Sequence, residues 1–151
     1  MREIRIERLR VTDIGLARTL FAMMTRVFAT AAEVLSDDYL TRLLARDDFW
    51  AFAALVDGQL VGGLTAHTLP LTRAEVSEVF IYDIAVVPDW QRHGVGRQLM
   101  STLRSEAAAA GITVVFVAAD NEDTHALDFY QTVGGVPAPV TIFTFDDGGN
   151  S

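Results

Sequence analysis

A chain of 151 residues that is 50% hydrophobic carries enough apolar side chain for one core of ordinary size without covalent staples. It has no cysteine, which excludes disulfides, thiolate metal sites and a thiol nucleophile, and His67, His93 and His125 lack the spacing of a zinc site. The net charge of −8 is uneven: residues 61–151 hold four arginines against eleven acids, a balance that repels nucleic acid and anionic membranes and attracts polycations.

The first residues, Met1-Arg2-Glu3-Ile4-Arg5, alternate charged and apolar side chains, and no run approaches the roughly 20 apolar residues of a membrane span. A soluble cytoplasmic protein is expected. Ile4 and Ile6 predict a half-buried strand, and Thr12 or Asp13 then caps a helix carrying Ile14, Leu16, Ala17, Leu20, Phe21 and Met24 at helical spacing. Met23 and Met24 read as core filler. Ser36 or Asp37 caps a second helix through Leu40, Leu43 and Leu44, which Asp47-Asp48 breaks.

Residues 49–56 and 59–68 flank Asp57-Gly58, the dipeptide that favours a tight primed turn, and predict an antiparallel hairpin ended by Pro70. Residues 78–87 are rich in aromatic and β-branched side chains and predict a central strand. A helix follows over 96–110, with Gly111 as its stop. Residues 113–119 are a short apolar run, suited to a buried strand parallel to the previous one. Thr124 caps a last helix through Tyr130, stopped by Gly134-Gly135, and 140–145 alternates as a final strand before a loose tail over 146–151. Trp50 and Trp90 fit either a core or an interface.

Between the central strand and its helix lies Gln91-Arg92-His93-Gly94-Val95-Gly96. Two glycines there place bare amides ahead of a helix N-terminus, a way to hold a pyrophosphate without lysine. Leu99 stands where a dinucleotide fingerprint has its third glycine, and no Gly-Lys-Ser/Thr forms a P-loop.

With Gln91-x-x-Gly94-x-Gly96 after the fourth strand, and Ala126-x-x-x-Tyr130 with Gly134 after the fifth, the chain resembles the GNAT superfamily of acyl-CoA-dependent N-acetyltransferases. Within it, Ser36-Asp37-Asp38-Tyr39-Leu40, Leu69-Pro70, the run from Ser77 through Ile81-Tyr82-Asp83-Ile84-Ala85-Val86, and Ala118-Ala119-Asp120 resemble the type I aminoglycoside 3-N-acetyltransferases. Ile84 is the departure from the Ile-Tyr-Asp-Leu-Ala-Val of that subgroup.

The resemblance implies an α/β chain with the GNAT acyl-CoA N-acyltransferase fold over 1–151 as one domain, its mixed central sheet splayed between strands four and five and flanked by helices. It implies acetyl-CoA as cosubstrate, a polycationic aminoglycoside of the gentamicin or sisomicin type acetylated at its 3-amino group by direct attack, antibiotic resistance as the consequence, and a homodimer. The arm of the cosubstrate is expected on Ile84, Ala85 and Val86, and its pyrophosphate on the loop Gln91, Arg92, His93, Gly94, Val95, Gly96 and Arg97. Tyr130 is the expected acid for the leaving thiolate.

An ammonium has no lone pair, so a base must take its proton, and Asp83, an acid inside an apolar strand, is the candidate. Tyr82 and Glu78 are rivals; successive strand residues face opposite sides, so Tyr82 and Asp83 share a site only if a bulge redirects one. A backbone amide near Ala85 or Val86 is the expected oxyanion donor. Among the acids Glu75, Glu78, Asp120, Glu122, Asp123, Asp146 and Asp147, Asp120 and Asp146 are the preferred partners for substrate ammonium groups. The competing readings are a GNAT acting on a polyamine or another small amine, and a non-catalytic acyl-CoA sensor.

Overall fold

Strand β1 (Arg5–Arg8) opens a computed structural model that describes residues 2–31 and 33–148. The chain divides into two compact units, Met1–Ala118 and Ala119–Ser151. In the first, β1 leads through a 3-10 turn at Val11–Asp13 into α1 (Ile14–Val27) and α2 (Asp37–Leu44), then β2 (Phe49–Val56), β3 (Gln59–Pro70), β4 (Ser77–Val86), α3 (Val95–Ala109) and β5 (Val115–Val117). The sheet runs β1-β2-β3-β4-β5, antiparallel except for the parallel β4/β5 pair.

The hairpin forms as its turn residues dictate: Asp57 and Gly58 take φ of 51° and 77°, the left-handed pair a primed turn needs. β2 is buried along its whole length because both faces are covered. Phe49, Ala51 and Ala53 join Ala17, Leu20, Met23 and Met24 of α1 in one cluster. The alternate residues Trp50 and Phe52 point to the other face, where Val95, Leu99 and Leu103 of α3 are buried. Trp50 is therefore core, and the Arg8 guanidinium lies 4.7 Å over its ring while bonding Glu106 of α3 at 2.9 Å. Gly62 lets α3 come close: a Cβ there would stand 2.9 Å from both Ala85 O and Val95 Cγ1.

Several expectations need correction. Asp13 does not cap α1 with its side chain; its carboxylate accepts instead from Arg10 N at 2.8 Å. β3 continues through Pro70, which sits at the end of the ladder opposite Ser77 and so interrupts nothing. β5 is three residues long and half-exposed, not a buried strand over 113–119, because it pairs with β4 alone among the described residues.

In the second unit, α4 spans Thr124–Thr132. Its cap is Asp123, not Thr124: the Asp123 carboxylate, one residue earlier, accepts from Ala126 N at 3.0 Å. Residues 140–145 form no strand, and Val140, Ile142, Phe143 and Phe145 are all exposed. Alternation allows a strand, but only a partner's ladder makes one.

Candidate active site

The β3/β4 register slips by one residue between Thr65 and Ala66: Thr65 lies opposite Asp83 and Ala66 opposite Ile81. Tyr82 is the extra residue of the bulge. Before it, Glu78 and Phe80 share one face; after it, Asp83 and Ala85 occupy that same face, since Ala85 belongs to the α1 cluster and Phe80 lies opposite His67. Tyr82 falls on this face too, its ring 5.9 Å from that of His67 and 6.0 Å from that of Phe80. The redirection that Tyr82 and Asp83 require to act together is thus present.

The bulge also marks where β4 loses its parallel neighbour. The last β4/β5 pair is Ile81 with Val117, so among the described residues 82–86 pair with β3 alone and keep one open edge. Val87 N donates to Val61 O at 2.9 Å, and Ala85, two residues earlier, faces β3 in the same way. By alternation the amides of Ile84 and Val86 face the open edge. Of the two proposed oxyanion donors, Val86 has the suitable direction and Ala85 does not.

A 3-10 turn, Pro88–Trp90, carries the chain from β4 into the loop. Arg92 and Gly94 have φ of 63° and 85°, a conformation that turns backbone N–H groups into a concavity. Around Gly94 a Cβ would meet nothing within 4 Å, so the glycine serves conformation and leaves open space. The first helical bond of α3 runs from Gln98 N to Gly94 O at 3.0 Å. The amides of Val95, Gly96 and Arg97 therefore precede the ladder, at the positive end of the helix dipole. A pyrophosphate fits this cradle and an extended amide arm fits the open edge of β4.

Two side chains of the motif brace the loop from within. Gln91 Nε2 donates to Val86 O at 3.1 Å, which ties the loop to the end of β4. The Nδ1 of His93 lies 2.8 Å from Gln91 O, and its ring is 5.1 Å from that of Trp90. Gln91 and His93, expected on the cofactor, thus bond within the loop, and Trp90, suited to a core or an interface, packs against His93. Their bracing depends on a left-handed residue at Arg92, for which spacing offers no signal.

Asp83 is half-buried, forms no salt bridge among the described residues, and its carboxyl is raised above the ordinary value near 3.8 because burial penalises the charged form. No arginine neutralises it. A carboxylate in that state is a stronger base than a solvated one and keeps its attraction for cations. Glu78 is half-buried opposite Leu69, five positions back along β4.

Asp120, Tyr130 and Asp146 belong to the second unit. Asp120 is exposed, and its carboxylate accepts from Glu122 N at 2.9 Å, closing a turn ahead of α4. Tyr130 lies on α4 with its ring 5.3 Å from that of Phe129, and its carbonyl accepts from Gly135 N at 2.8 Å. Asp146 is exposed and follows no strand, since none forms before it.

Residues 17–134 match the model of the acetyltransferase (GNAT) family. The chain belongs to this family. The cosubstrate of GNAT acetyltransferases is acetyl-CoA, whose diphosphate and pantetheine arm suit the cradle and the open strand edge already described. Among solved structures, the aminoglycoside acetyltransferase meta-AAC0020 from an uncultured soil metagenomic sample, in complex with sisomicin, is 32% identical with a TM-score of 0.91 and 95% coverage of both chains. A second aminoglycoside acetyltransferase from such a sample, HMB0005, is 34% identical with a TM-score of 0.90, covering 95% of this chain and 98% of its own. The ribosomal protein bS18-alanine N-acetyltransferase of Escherichia coli K12 is 30% identical over 64 residues, 42% of this chain and 43% of that protein. The GNAT chain thus matches less than half the length of that curated relative. No helix among the described residues is long and apolar enough to cross a membrane.

Proposed function

We propose that this GNAT chain transfers the acetyl group of acetyl-CoA to an aminoglycoside, at the 3-amino group of a gentamicin- or sisomicin-type drug, and so confers resistance. The observation that carries the reading is Asp83: an unneutralised, half-buried carboxyl with a raised pKa, on the stretch of β4 that has an open edge and leads into the amide cradle. The two aminoglycoside acetyltransferases that match 95% of the chain support the substrate class. The 3-amino position rests on the resemblance of residues 36–40, 69–70, 77–86 and 118–120 alone.

In this mechanism the main chain of Ile84, at the open edge of β4, holds the pantetheine arm, and the amides at the start of α3, with those of Arg92 through Gly94, hold the diphosphate. Bound there, acetyl-CoA supplies an activated acetyl thioester. Asp83 removes the proton of the substrate ammonium, directly or through one water, and the free amine attacks without a covalent enzyme intermediate. Val86 N–H donates to the acyl oxygen as it gains charge. Tyr130 donates the proton that the thiolate takes as it leaves, while Asp120 and Asp146 attract further ammonium groups.

Acetyl-CoA-dependent thiol release with gentamicin, sisomicin, kanamycin, spermidine and an alanine-initiated peptide tests the substrate class, and NMR of the product fixes the position. Turnover of spermidine or the peptide with none of the drugs overturns the reading. Tyr130→Phe should lower turnover while leaving coenzyme A binding intact; unchanged turnover returns that ring to a packing role.

A further inference from the structure

An aromatic row crosses the first unit of the protein on the face that carries Asp83. Register places Phe49 of β2 opposite His67 of β3, His67 opposite Phe80 of β4, and Phe80 beside Phe116 of β5. Ring centroids are 5.3 Å apart for Phe49 and His67 and 5.0 Å apart for Phe80 and Phe116, with Tyr82 bridging His67 and Phe80. The burial is graded. Phe49 is 7% exposed and lies edge-on to Phe21 of α1, whereas His67 and Phe80 are half-buried, and Phe116 and Tyr82 are 42% and 66% exposed. The helical layer therefore covers the β2 end of the row and leaves the β4/β5 end open within this unit.

Acids bracket that open end. Glu78 lies two positions before Phe80 on the same face, and the bulge brings Asp83 onto it after Tyr82. Along β4 the surface reads acid, ring, ring, acid over about 16 Å, at about 3.3 Å per residue. An apolar partner, such as a second copy of this chain docking by a hydrophobic face, would desolvate both carboxylates without compensation. A molecule with ring C–H faces in its middle and ammonium groups at its ends matches every part of the pattern, because a rigid ring lays several C–H groups on an aromatic face at once, whereas a linear chain gives up rotamer freedom to do so.

We propose that His67, Phe80, Tyr82 and Phe116 form a stacking platform for the sugar and aminocyclitol rings of the acceptor, and that this platform selects ring-bearing polyamines over linear ones. The inference deepens the aminoglycoside acetyltransferase reading and rests on it. Phe80 and His67 supply the half-buried floor; Tyr82 and Phe116 supply the exposed faces, placed so that an amine lying on them ends beside Asp83.

The test is a double variant, Tyr82→Leu with Phe116→Leu, which keeps apolar bulk and removes both exposed rings. Calorimetric binding of sisomicin and of spermidine is measured in the presence of coenzyme A, with steady-state kinetics alongside. The expected result is sisomicin affinity lower by at least tenfold, a matching rise in its KM with kcat within about threefold, and spermidine and coenzyme A binding within about twofold. The conservative pair Tyr82→Phe with Phe116→Tyr should bind sisomicin as the parent does, and if the double leucine variant shows no cooperative melting the single variants Tyr82→Leu and Phe116→Leu decide the matter, each expected to weaken sisomicin at least about threefold with spermidine within about twofold. Equal losses for sisomicin and spermidine, or no loss for either, overturn the platform. So does a parent protein that does not bind sisomicin, or a dimer that the double variant converts to monomer, which would make the row an interface between copies. Ring-dependent sisomicin binding without acetylation sustains the platform and overturns the proposed reaction instead.

Discussion

Two regions of the sheet are built from the same kinds of residue and behave in opposite ways. At β2 and the adjoining part of β3, strands have neighbours on both edges and helices on both faces, and side chains such as Phe52, Leu64 and Leu20 are fully buried. Past Ile81, β4 loses β5, carries a bulge, exposes Tyr82 and leaves a carboxyl half-buried without a counter-ion. The first region spends its apolar surface on packing. The second leaves hydrogen-bonding groups and rings to solvent, which forgoes packing and creates affinity for something else.

The largest expected effect breaks the open region chemically. Asp83→Asn should lower kcat/KM by on the order of a hundredfold or more if the carboxylate is the base, and near-normal turnover in stopped assays would remove it from the mechanism. In the covered region Leu20→Ala should cost about 2–5 kcal/mol in denaturant unfolding, through lost burial and the cavity left behind. A small loss there would mean that the α1 face is looser than its burial suggests.

Gly62→Ala joins the two regions. Its Cβ would press on Ala85 O and Val95 Cγ1 at 2.9 Å, so the start of α3 must move off the sheet. A KM for acetyl-CoA raised several-fold, with the drug KM changed less, is expected from steady-state kinetics; equal changes in both would detach the cradle from this contact.

The smaller effects are in pH. The Asp83 carboxyl is raised in the folded state, so the native protein holds that proton more tightly than the unfolded chain does. Its contribution to stability is therefore most favourable below the ordinary value near 3.8 and declines as pH rises toward the folded value, beyond which it is constant. Asp83→Asn should abolish this decline and melt higher than the parent near neutral pH, by an amount reduced by solvent screening at a half-exposed site. Activity runs the other way: kcat/KM rises with pH as the base ionises. A variant that loses activity and gains no stability at neutral pH would show that burial does not burden this carboxyl. Raising salt should weaken drug binding modestly, through screening of Glu78 and Asp83, and leave the chemical step unchanged.

Much of this was legible in the sequence because it depends on local rules. Asp57-Gly58 specifies its turn by φ alone, Ser36 accepts from Tyr39 N as a cap should, and Gly94 ends the loop in the left-handed conformation from which α3 starts. Asp83 was visible as an acid in an apolar strand. Residues 140–145 show the limit of such rules: their alternation is genuine, yet they are exposed and unpaired.

The amino-acid sequence by itself determined the order of elements through α4, the hairpin, the amide loop and the candidate base, since each follows from torsional preference or polarity over a few adjacent residues. Only the tertiary structure decided which neighbours share a face. A one-residue slip opposite Thr65 puts Tyr82 and Asp83 together and sends the Val86 amide and not that of Ala85 to the open edge, while the registers of β2 through β5 align rings from four strands. Register between strands is set by pairing across distant parts of the chain, so no local pattern carries it.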